Sequence, residues 1–139
     1  MMEAYAEYSH AIASLVIFTL VVLFLSPFSA LAKQGKGLAP GATPDQDYAD
    51  KAYRLNRAYL NGTETLPAFL TVTVAAILLG ASPFWVNWLA AIALVARLVM
   101  LVVHIQGVGK PHSGIRSVLY VVAWACMFVI GILALVAAF

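Results

Sequence analysis

Among 139 residues the chain has a single cysteine, Cys126. A lone thiol inside an apolar run excludes a disulfide framework, and its expected role is packing. Charge is almost as scarce: acidic and basic residues make up 10% of the chain against 63% hydrophobic ones, and the mean hydropathy is +0.93. A soluble domain of this size cannot hide so much apolar surface in one core, so lipid must be its solvent. No basic residue precedes Lys33, and the first apolar run is about twice as long as a signal-peptide core, so it is expected to remain as a span and not to be cleaved. The net charge of +2 is spread thinly along the chain, which excludes a nucleic-acid patch. His10, His104 and His112 lie far apart with no cysteine pair near them, so no metal site is expected.

What is present is a series of long apolar runs. Ala11 to Ala32 is free of charge, about the ~20 residues that a helix needs to cross the hydrocarbon, and Pro27 is expected to bend or loosen its last third. The Gly- and Pro-rich stretch from Lys33 to Thr43 reads as a loop, and Thr43-Pro44-Asp45 as a helix start. Ala58 to Val103 is too long for one span, and Gly80-Ala81-Ser82-Pro83 is the turn signal inside it. Together these readings predict an all-α integral membrane protein, one domain over residues 1–139. Its four transmembrane helices lie at about 11–32, 58–79, 84–103 and 117–139. The basic residues outside the spans lie in the first and third connections, which places loops 33–57 and 104–116 in the cytoplasm and both termini on the opposite side. In a bacterium this would be the inner membrane.

Two spans must enclose charge. At 100° per residue, Arg54, Arg57, Asn61 and Glu64 fall within an arc of roughly 80°. Arg97 and His104 share one side of the third span, and Arg116, Tyr120 and Trp124 one side of the fourth. Counted from the turn, Glu64 and Arg97 differ in height by only roughly 3 Å, which predicts an ion pair between them. Basic residues at an interface are ordinarily topology signals or headgroup contacts, and Lys33, Lys36, Lys51 and Lys110 are read so. Arg57, Asn61 and Glu64 are read as functional because intramembrane polar residues rarely persist otherwise.

The stretch Arg54-Leu-Asn-Arg57-Ala58-Tyr-Leu-Asn61-Gly-Thr-Glu64-Thr-Leu-Pro67-Ala-Phe69 resembles the signature of the MAPEG family, membrane-associated proteins in eicosanoid and glutathione metabolism. The likeness continues through Ser82-Pro83-Phe84, Ala96-Arg97, His104, Ile115-Arg116-Ser117-Val118 and Tyr120, and is similar to the prostaglandin-synthase and glutathione-transferase branches. Residues 1–52 match only in general layout. The resemblance implies a homotrimer of four-helix protomers that holds glutathione between neighbouring subunits and takes a lipophilic substrate from the bilayer. By position it implies that Arg57, Asn61 and Glu64 hold the charged ends of glutathione. Arg116 would stabilise its thiolate and Ser117 assist, while His104 and Tyr120 would line the pocket; Arg97 is read either as a structural counter-ion or as a further contact to glutathione. The implied activity is that of a glutathione transferase or peroxidase. The alternatives are a noncatalytic lipid-binding scaffold and a small proton-coupled transporter using Glu64, although the absence of an internal repeat speaks against the transporter.

Overall fold

A computed structural model describes residues 5–109 and 114–139. Lys110 and His112, read above as an interfacial lysine and a non-ligand histidine, lie outside them. Four helices carry the described chain: α1 (Ser9–Gln34), α2 (Lys51–Leu78), α3 (Pro83–Gln106) and α4 (Ile115–Ala138). Helix α1 continues through Pro27 to Gln34, so the proline does not end it.

The start of α2 departs from expectation. It does not begin near Pro44, because Asp47 closes a turn by accepting the Ala49 N–H at 2.9 Å and leaves residues 45–49 as loop. Asp50 caps the helix instead, its carboxylate accepting the Ala52 N–H at 3.0 Å and lying 3.3 Å from the Lys36 ammonium. The Ala52 N–H first, and then Lys36, hold the Asp50 carboxyl below the usual carboxylate range. Helix α2 thus begins seven residues before the expected span, and the added turns carry Lys51, Arg54 and Arg57. Pro83 opens α3 where its missing N–H costs nothing, and Gly107 ends it in the left-handed conformation (φ 72°).

The contacts at each end give the bundle an up-down-up-down course. At one end Tyr8 donates to the Ala81 carbonyl, and Asn87 accepts the Ala11 N–H at 2.9 Å. At the other, Arg54 donates to the Ile105 carbonyl at 3.0 Å, and Arg116 bonds to His104 at 2.8 Å. Helices α1 and α4 flank the α2–α3 pair. Small residues let the backbones approach: Ala58, Ala76, Ala90 and Ala93 are buried, and a Cβ on Gly62 would stand 2.9 Å from Val22. Phe18 meets Phe69 edge-on at 6.0 Å in the centre of the core. Leu20, Leu23, Phe24, Val121, Phe128 and Leu135 face outward, the reverse of a soluble protein.

Helices α1, α3 and α4 are long and apolar enough to cross a membrane. Helix α2 is the longest of the four, but its first half holds the polar residues. It is this polar half, packed between α1 and α4 and against α3, that builds the site.

Candidate functional site

A cavity of about 280 Å³ opens where the polar halves of α2, α3 and α4 meet. Helix α2 lends it Arg57 and Asn61, one turn apart. Helix α3 lends Met100 and His104, and the first turns of α4 lend Arg116, Ser117 and Tyr120. The wall therefore contains six of the eight sequence-derived site residues. Arg97 is buried (3% exposed), within reach of this wall, and donates to the Asn61 side-chain oxygen at 2.7 Å. Its guanidinium also lies 5.0 Å from the centre of the Tyr120 ring.

The expected Glu64–Arg97 ion pair is replaced by two other contacts. Glu64 pairs with Arg57 at 3.7 Å and its side chain is 60% exposed, while Arg97 bonds to Asn61. Equal height did not imply a shared direction. Seven residues advance a helix by two turns less about 20°, so Glu64 stands above Arg57. Asn61, between them in sequence, points towards α3. Glu64 accordingly does not line the cavity. Trp124 shares the side of α4 that was expected but lies beyond the cavity, exposed and stacked on Phe128 at 5.3 Å.

The hydrogen bonds settle two orientations. A guanidinium only donates, so the Arg116–His104 contact makes His104 Nδ1 the acceptor and leaves the ring hydrogen on Nε2, which is buried and has no partner among the described residues. By the same logic the Asn61 oxygen turns to Arg97 and its NH2 is left for another acceptor. The pocket thus holds an amide NH2 and two guanidinium groups, a donor-rich lining suited to carboxylates and to an ionised sulfur. Ser117 lies inside the first turn of α4, with Gly114 at the cap position, so it does not act as the helix cap.

Sequence reasoning missed Tyr48. This loop residue lines the cavity, meets His104 edge-on at 6.2 Å and lies against the Arg116 guanidinium at 5.4 Å. A tyrosine in a polar loop carries no periodicity, and only the folded chain brings it there. Arg54, grouped with the site by its helix face, holds that loop: it donates to the Tyr48 and Ala49 carbonyls at 2.7 and 2.8 Å. Lys33, read as an interfacial lysine, is 6% exposed and lines a separate recess with Ser29, Asn56 and Tyr59.

With this geometry in place, comparison with known proteins shows a match to the MAPEG family over residues 9–136, so the likeness reaches well into the part that had matched only in layout. No curated protein matches the chain.

Proposed function

The chain belongs to the MAPEG family, membrane proteins that include glutathione-dependent enzymes and noncatalytic members, and from that premise we propose that it is a glutathione transferase or peroxidase. The observation that carries the reading is the donor-lined cavity, in which Arg57, Asn61, His104 and Arg116 surround one volume. Glutathione has two carboxylates and a thiol that must ionise before it attacks. Arg57 and the Asn61 NH2 bind a carboxylate, and Arg116 lies on the far wall to face the sulfur. Lowering a thiol pKa by two units takes about 2.7 kcal/mol, within reach of one guanidinium in a partly dry site. The thiolate attacks an apolar electrophile or hydroperoxide that arrives from the lipid, past the exposed Tyr120 and Val121. Ser117 stands beside Arg116 on the same wall and can donate to the sulfur or to a peroxide oxygen.

All four helices cross the bilayer as one domain in this reading. The charged end of the bundle, with Lys36, Lys51 and Arg57, is cytoplasmic, and the end bearing the exposed Phe84, Trp85 and Trp88 is opposite. Glu64 supports assembly: a half-exposed carboxylate on a spanning helix costs several kcal/mol against lipid, and neighbouring copies in a homotrimer cover it. Its place outside the cavity gives no support to a proton-coupled transporter.

An ultraviolet difference spectrum tests the proposal. Wild-type protein should give a saturable thiolate absorbance with added glutathione, and Arg116→Ala should lose it. Absence of that signal together with no thermal stabilisation by glutathione would leave the noncatalytic lipid-binding scaffold as the better reading.

A further inference from the structure

Four contacts converge on Tyr48, which no helix carries. Its backbone carbonyl accepts from Arg54 at 2.7 Å, and Arg54 in turn donates to the Ile105 carbonyl at 3.0 Å, so one guanidinium ties the loop to the last turn of α3. Gly107 leaves room for that tie, because a Cβ there would stand 3.1 Å from the Arg54 guanidinium. The Tyr48 ring then meets Tyr53 edge-on at 5.2 Å, meets His104 edge-on at 6.2 Å, and lies 5.4 Å from the Arg116 guanidinium carbon. Ring-to-ring and ring-to-cation distances of this kind are attractive and directional.

The consequence falls on Arg116. Its side chain has several rotatable bonds and begins at the second residue of α4, after Gly114 at positive φ (103°). A hydrogen bond to His104 restrains one end of its fork. An aromatic surface adds a restraint on the plane of the guanidinium. We propose that Tyr48 is a positioning residue: its ring forms the cytoplasmic roof of the cavity and holds the Arg116 guanidinium flat and aimed at the sulfur of the bound thiol. The part of this that concerns the sulfur rests on the glutathione reading, whereas the hold on Arg116 does not. A guanidinium free to swing stabilises a thiolate less than one held in place, since preorganised charge costs no rearrangement when the anion forms.

Two measurements on the full chain in detergent, with Tyr48→Ala and Tyr48→Phe, test it. The first needs no glutathione: modification of Arg116 by phenylglyoxal, followed by peptide mass spectrometry. The wild type and Tyr48→Phe should react slowly and Tyr48→Ala several-fold faster, because the ring covers the guanidinium. The second is the pH titration of bound glutathione thiolate by its ultraviolet absorbance. Tyr48→Ala should raise the apparent thiol pKa by about one unit, a tenfold loss of thiolate, while Tyr48→Phe titrates as wild type. Equal Arg116 reactivity in all three proteins overturns the proposal. So does an unchanged thiol titration in Tyr48→Ala, and so does a Tyr48→Phe that behaves like Tyr48→Ala, which would assign the effect to the hydroxyl. If the wild type binds no glutathione, the proposed function fails by itself, and the Arg116 reactivities still decide whether Tyr48 holds the guanidinium.

Discussion

Asn61 joins the buried charge of the bundle to the cavity, and its two ends can be separated by substitution. Its oxygen accepts from Arg97, a guanidinium only 3% exposed, at 2.7 Å. Asn61→Leu removes that acceptor and should destabilise the protein by about 1.5–3 kcal/mol, the range for a hydrogen bond to a buried charge. Asn61→Asp keeps an oxygen in the same place and gives it a charge, so its unfolding should stay within about 1 kcal/mol of wild type. The pocket end behaves in the opposite way. On the proposed glutathione reading, aspartate replaces the NH2 with a second negative oxygen opposite the ligand carboxylate, and binding should weaken at least tenfold, or about 1.4 kcal/mol. Thermal unfolding in detergent followed by near-ultraviolet circular dichroism, alongside equilibrium dialysis of glutathione, separates the two effects. Adding Arg97→Met to Asn61→Leu should recover part of the stability loss, since the unpartnered charge leaves with it. The reasoning is refuted if Asn61→Asp unfolds as easily as Asn61→Leu, or if it binds glutathione as tightly as the wild type.

Gly62→Ala gains helix propensity of about 1 kcal/mol but puts a methyl 2.9 Å from Val22, whose branched side chain has little freedom to turn away. A net loss of about 1–2 kcal/mol is expected, with Val22→Ala restoring part of it; additive effects of the two changes would show that α1 and α2 can separate at this point. For topology, Lys36→Cys and Glu7→Cys in a Cys126→Ser background should be labelled by an impermeant maleimide from opposite sides of the membrane, Lys36→Cys from the cytoplasm. The reverse pattern would invert the proposed orientation.

Much of the architecture is legible in the residues themselves. Lipid as solvent, the long helices and their turn at residues 80–83 follow from hydropathy and from the few glycines and prolines, because spanning length and helix breaking are local properties. The polar cluster was legible for a similar reason: periodicity tells which residues share one side of one helix. What remained undecided was how each helix turns about its own axis relative to its neighbours. Height along α2 and α3 brought Glu64 level with Arg97, yet rotation directed Asn61 to Arg97 and Glu64 to Arg57. The start of α2 shows the same limit on a smaller scale, since Pro44 and Asp45 look like a helix beginning until Asp47 closes a turn and Asp50 takes the cap. Tyr48 was beyond any sequence argument. Its place over Arg116 depends on the Arg54 fork reaching across to the end of α3, a contact between residues 51 positions apart that only close packing of the helices creates.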